Sequence, residues 1–296
     1  MSETICPSYP TPFAPLTLKQ PQASTIPLLA DSPHSGVKYP SDFNFSLPFH
    51  ILRTGEDTDI DTLWQAIPNV GGTLLAAEFP RSYIDPNRNV DDIDIAMFTT
   101  HWPKKANPTE KSRLGAGLIW NLAHYLDETY SVYDRLLEPQ EIQNRIDQYY
   151  TPYHQTLSEQ VQQLYSRFGG LWHLNLHSMP SSAYESLGLS SEKPLADFVL
   201  GNRDSSTCSP EFIHLVADLL KNKGYSVALN DPYKGVALIA HIGNPAQNRH
   251  SLQVEVHRKL YMHEDTRERN DHFSQLQNDL TDVCGQIANY IKKEIS

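Results

Sequence analysis

Two histidines stand at the ends of strand-like segments with apolar runs, each directly before a serine. His34 ends "LLADSPH" (28–34) and His177 ends "LWHLNLH" (171–177). Alone, a histidine in either position is more often structural than chemical. If neighbouring strands bring both to one end of a sheet, they make two-thirds of a catalytic zinc site, which needs three protein ligands and an open position. The third ligand should be a carboxylate. "GEDTDIDTLW" (55–64) offers Glu56, Asp57, Asp59 and Asp61. Acids in a first helical turn also complement the helix dipole, so spacing does not choose among them.

A hydrolytic site also needs a base and a grip on its substrate. In "SLQVEVH" (251–257), alternation turns Leu252, Val254 and Val256 one way and Gln253, Glu255 and His257 the other. Glu255 is then either a solvated edge carboxylate or a general base in a cleft. "FPRSYIDPNR" (79–88) supplies Arg81, Asp85, Asn87 and Arg88. A guanidinium suits bidentate recognition of a carboxylate. Arg203, in the polar loop "LGNRDSSTC" (200–208), is a second candidate anion binder. His241, in "VALIAHI" (236–242), reads equally as a donor to substrate or as a core histidine.

The elements that must position these groups alternate. Strand-like runs occur at 25–30, 72–79, 170–177, 197–201, 225–230, 236–242 and 251–257. Helical patterns begin near Thr58, cover roughly 112–126, and run from Pro139 to about Phe168. "SPEFIHLVADLLKNKG" (209–224) has Ser209 as N-cap, Pro210 at the first helical position and Gly224 past the end. An amphipathic helix spans 270–293. Strands alternating with helices imply an α/β domain with a mixed, mostly parallel central sheet flanked by helices. In such sheets ligands bind beyond the carboxyl ends of the strands. Residues 1–24, with five prolines, read as an extended tail before one domain at 25–296.

Composition removes several classes. A formal net charge of −11 argues against nucleic acid. No stretch reaches the length of a membrane span and no signal peptide opens the chain, so a cytoplasmic setting is the simplest expectation. Cys6, Cys208 and Cys284 form no CxxC pair and no disulfide framework.

In order, "SPHSG", "EDTDIDTLW", "AAEFPRSYIDPNR", "YYTPYH", "LNLHSMP", "GNRDSSTC", "YKGVALIAHIGNP" and "HSLQVEVHRKLYM" resemble the N-formylglutamate amidohydrolase (deformylase) family, from about residue 25 to 265. That family is similar to zinc carboxypeptidases and aspartoacylase-type amidohydrolases. The resemblance implies a zinc-peptidase-like fold, one divalent metal, most simply zinc, on His34 and His177, and Asn87-Arg88 as a carboxylate-binding pair. It implies Glu255 as general base. The His-x-x-Glu spacing of the similar enzymes is broken here, because Val37 stands three residues after His34. Anchoring on Leu63-Trp64 selects Asp57 as the carboxylate ligand, with Asp59 the runner-up. Asn175 stands where the family often has Asp, two residues before the His ligand, a place from which it could orient the imidazole.

The implied reaction is metal-dependent removal of a formyl or small acyl group from an acidic amino acid, foremost N-formyl-L-glutamate to glutamate and formate, as in histidine degradation. Arg81 would assist Arg88 on a substrate carboxylate, and His241 or an arginine would assist at the oxyanion. Hydrolysis of another N-acyl amino acid or a short peptide, a non-catalytic module for an acidic metabolite, and a purely structural role stand as alternatives.

Overall fold

The computed structural model describes residues 8–126, 128–190 and 193–296; Cys6 lies outside them. The apolar runs become a seven-stranded sheet. Its strands are Val227–Leu229, Phe198–Gly201, Arg249–His257, Leu171–Met179, Leu28–Ser32, Thr73–Ala77 and Leu16–Lys19, in that spatial order. Leu171–Met179 is parallel to both Leu28–Ser32 and Arg249–His257. Arg249–His257 is antiparallel to Phe198–Gly201. The class is therefore the α/β one implied by the sequence, with a mixed and mostly parallel sheet.

The fold comprises two compact units. The larger comprises Leu18–Ser32, Asp57–Leu75 and Leu157–Ser296. Alternation sorts its strands into two faces. Leu28, Ala30, Leu74, Trp172, Leu174, Leu176, Leu252, Val254 and Val256 join one buried cluster. The helices Pro210–Asn222 and Phe273–Glu294 close over it with Phe212, Val216, Leu220, Leu276, Leu280, Val283 and Ile287. Ser209 caps the first of these by accepting from the Phe212 amide. The opposite strand residues, Asp31, His173, Asn175, His177, Ser251, Gln253 and Glu255, are polar and equally buried. Buried polar groups are costly unless hydrogen-bonded, so this second face must be wired together.

The other unit comprises described residues 8–17 with Pro33–Glu56 and Ala76–Thr156. Its centre is aromatic. The Arg145 guanidinium lies 4.1 Å from the centroid of the Tyr83 ring and donates to the Tyr133 hydroxyl at 2.7 Å. Ser8–Tyr9 pairs in parallel with Tyr39–Pro40.

Three elements differ from the sequence expectation. The 112–126 helix is a single turn, Glu110–Arg113, followed by a hairpin of Leu122–Tyr125 with Glu128–Ser131. Gly115 ends the turn at φ +88°, where a Cβ would lie 2.3 Å from Leu122 Cβ. The 236–242 run is a helix, Ala237–Ile242, instead of a strand. Its buried residues Leu238, Ile239 and Ile242 follow the helical period and leave His241 exposed. The long helix from Pro139 is interrupted by a π-helical turn at Ile146–Tyr150 before Thr151–Phe168.

Candidate active site

In the smaller unit, two loops carry His34 and the Arg81–Arg88 residues. His34 follows the strand Leu28–Ser32 after Pro33. Its Nε2 donates to Asp85 Oδ1 at 2.8 Å. A carboxylate accepts only, so Asp85 fixes the tautomer in which His34 Nδ1 carries the lone pair. Asp85 also accepts from Arg81 Nη2 at 2.7 Å and from the Asn87 amide at 2.8 Å. Burial alone would raise the Asp85 carboxyl; Arg81, His34 and Arg88 outweigh it and hold the carboxyl well below the ordinary range. Gly36 lets this loop close: a Cβ there would sit 2.2 Å from the Phe79 carbonyl oxygen.

Arg88 is buried and donates through Nε to the Ala116 carbonyl at 3.0 Å. Burial presses hardest against its charge; Asp85 supports the charge, Arg81 opposes it, and the net effect lowers its pKa. A guanidinium stays protonated nonetheless. An arriving anion would relieve that pressure.

The larger unit carries His177, Asp57 and Glu255. His177 stands near the end of Leu171–Met179, opposite Glu255 in the parallel register. His177 Nδ1 lies 3.0 Å from Asp57 Oδ2, and its Nε2 lies 2.8 Å from Asn175 Oδ1. Asp57 Oδ1 accepts from Ser178 Oγ at 3.0 Å and from Arg258 Nη2 at 3.1 Å. Glu255 is buried, and one of its oxygens accepts from Gln253 Nε2 at 2.8 Å. Asp59, the runner-up ligand, is turned away into an ion pair with Arg269.

His34, Asp57 and His177 each offer a ligand atom, and these atoms all lie within 4.8 Å of one another. Two imidazoles and a carboxylate are donors that suit a borderline divalent ion such as zinc. The residues present therefore fit a metal. Arg203 is exposed at φ +51° and donates to the Gly235 carbonyl at 3.2 Å. His241 is exposed on its short helix.

Sequence reasoning gave no role to Asp85, Ser178, Arg258 or Asp31. Asp85 was visible in "IDPNR", between the two arginines. Arg258 follows the strand that carries Glu255, and no local pattern marks it as the partner of an acid two hundred residues earlier.

No helix among the described residues is long and apolar enough to cross a membrane. The N-formylglutamate amidohydrolase family model matches residues 26–262. The N-formylglutamate deformylase of Pseudomonas putida is 28% identical over 244 residues, covering 81% of this chain and 83% of its own. That of Pseudomonas aeruginosa is 28% identical over 247 residues, with the same coverage of 81% and 83%. The crystal structure of N-formylglutamate amidohydrolase from Ralstonia eutropha JMP134 superposes with a TM-score of 0.92 at 54% identity, over 96% of this chain and 100% of that one. An Agrobacterium tumefaciens gene product shares the fold at a TM-score of 0.65 and 13% identity, over 94% of this chain and 96% of its own.

Proposed function

Because the chain belongs to the N-formylglutamate amidohydrolase family, we propose that it hydrolyses the formyl amide of N-formyl-L-glutamate, releasing formate and glutamate. The observation that carries the reading is the buried His34, Asp57 and His177 set, whose ligand atoms gather within 4.8 Å. His34 Nδ1, a carboxylate oxygen of Asp57 and His177 Nδ1 would hold one divalent metal, zinc before others. A zinc so held supplies a Lewis acid and brings the pKa of water to roughly 7.

Glu255 takes the proton of the attacking water and returns it to the departing amine nitrogen as the C–N bond breaks. Water's oxygen ends on formate and the proton on glutamate's amine. Arg88, with Asn87 beside it, grips a substrate carboxylate, and Arg81 adds positive potential on the same loop. Arg203 and His241, both exposed, have no part in this reading. The substrate is a small acidic N-acyl amino acid. Cys208 and Cys284 are buried free thiols, in keeping with a reducing cytoplasm.

The test is formate release from N-formyl-L-glutamate by the purified chain, before chelation, after it, and after zinc is restored. Activity lost and regained supports metal, reaction and substrate together. Bound zinc without formate would leave the centre standing and overturn the substrate.

A further inference from the structure

Behind His177 lies a fully buried chain of hydrogen bonds. Asp31 Oδ1 is 2.8 Å from Asn175 Nδ2 and 2.9 Å from His173 Nε2. His173 Nδ1 is 2.7 Å from Ser251 Oγ. Asn175 Oδ1 is 2.8 Å from His177 Nε2. Asp31, His173, Asn175 and Ser251 are all fully buried. Strand register holds them there: Asp31 pairs with Asn175, and His173 with Ser251.

The donor and acceptor sense of this chain can be worked out from one member. An ionised carboxylate only accepts. Asp31 therefore draws the NH2 end of Asn175 toward itself, which turns Asn175 Oδ1 toward His177. That oxygen only accepts, so His177 Nε2 must carry the hydrogen. In the neutral ring that a metal requires, the lone pair of His177 is then on Nδ1, 3.0 Å from Asp57 Oδ2. Without a metal, a proton on Nδ1 bridges the two atoms; a metal takes that proton's place. On the other side, His173 donates from Nε2 to Asp31 and accepts from Ser251 at Nδ1, so it fits as a neutral ring.

We infer that Asp31 is a positioning residue for the metal centre: through Asn175 it sets the tautomer and orientation of His177, and so selects Nδ1 as the metal-binding nitrogen. This rests on the metal reading above.

The experiment uses zinc itself, in competition with a chromophoric chelator on purified protein, with the thermal midpoint of the metal-free form measured alongside. Asp31→Asn lets both amides rotate and removes the one group that fixes their sense. Its zinc affinity should fall about ten- to a hundredfold, as for other partners of metal-binding imidazoles. The exchange Asp31→Asn with Asn175→Asp keeps atoms and charge but restores a fixed sense. The amide at 31 donates to the carboxylate at 175, which accepts from His177 Nε2, while His173 takes its other tautomer, accepting at Nε2 from that amide and donating from Nδ1 to Ser251. Zinc affinity should return to within a fewfold of the parent.

Wild-type affinity in Asp31→Asn would overturn the proposal, as would an exchange variant as weak as the single one. A lowered midpoint with unchanged zinc affinity would mark Asp31 as structural only and overturn it too. If Asp31→Asn does not fold, the exchange variant decides alone: parent-like affinity supports the relay and weak affinity overturns it. A parent chain with no zinc affinity would sink the metal reading itself, and is distinguishable because it needs no variant.

Discussion

Asp57 Oδ1 lies 3.1 Å from Arg258 Nη2, and both side chains are buried. The guanidinium also donates from Nε to Ser178 Oγ, which itself donates to Asp57. One oxygen of Asp57 is thus held by protein donors while the other faces His177. Removing one member of a buried ion pair strands the other, at a cost of about 3–5 kcal/mol. Arg258→Met should therefore destabilise the metal-free protein by that order in urea unfolding. Zinc should shrink the difference, because it supplies a countercharge to the same carboxylate. A variant within 1 kcal/mol of the parent would show that Asp57 does not depend on Arg258.

Glu255→Gln keeps the size and a hydrogen-bonding end but not the basicity. The change should leave zinc content and thermal midpoint near the parent and lower kcat by about 10²–10⁴-fold. Normal turnover in steady-state assays would remove Glu255 from the proton path.

How much of this was legible beforehand depends on range. Strand alternation turned Glu255 and His177 onto the face opposite Leu252, Val254, Leu174 and Leu176, and the structure has them so. The ends of the helix at Pro210–Asn222 followed from its serine, proline and glycine. The misread elements were those where local pattern is ambiguous. A seven-residue apolar run fits a strand or a short helix equally, and 236–242 became a helix. Two glycines inside an apolar stretch broke the 112–126 helix. The residues that orient the ligands were illegible for a different reason. Asp85 meets His34 across 51 positions and Arg258 meets Asp57 across 201. Such pairings are set by which strands are neighbours, which no window along the chain contains.

Arg88 should act on binding before chemistry. A hydrogen bond to a charged group contributes about 1.5–3 kcal/mol. Arg88→Ala should then raise KM for N-formyl-L-glutamate roughly 10- to 150-fold with a smaller change in kcat. Arg88→Lys should recover little, since a lysine cannot present the planar fork. An unchanged KM in Arg88→Ala would take this residue out of the substrate site.

Gly36 owes its identity to crowding. A Cβ there would lie 2.2 Å from Phe79 O, 2.5 Å from Glu78 C and 2.6 Å from Phe79 N, all backbone atoms that cannot swing aside. Overpacking of this kind costs about 1–3 kcal/mol. Because His34 is two residues away, Gly36→Ala should also weaken zinc binding. Paired measurements of thermal midpoint and zinc stoichiometry test both, and a variant unchanged in each would refute the crowding argument.

His257 offers a pH signature separate from the metal ligands. Its Nε2 lies 2.9 Å from Ser181 Oγ, and Glu264 accepts from the Ser181 amide. Burial first, then the Lys259 charge, lower its pKa from 6.5 to about 4, against the opposing pull of Glu264 and Asp197. A histidine depressed in the folded state binds its proton more readily when unfolded. Between these two pH values the unfolded chain holds more protons, so stability falls as pH falls. Above the upper value both states are neutral at this site and the contribution is flat; below the lower one both are protonated and it is flat again at a reduced level. His257→Gln cannot titrate. The stability difference, parent minus variant, should therefore decline as pH is lowered from about 6.5 to about 4 and level off on either side. The carboxylates titrate in both proteins and cancel in the difference. Urea unfolding of the two proteins across pH 4–8 gives the curve. A flat difference would mean that the folded-state imidazole titrates as an exposed histidine does, and that burial leaves its protonation untouched.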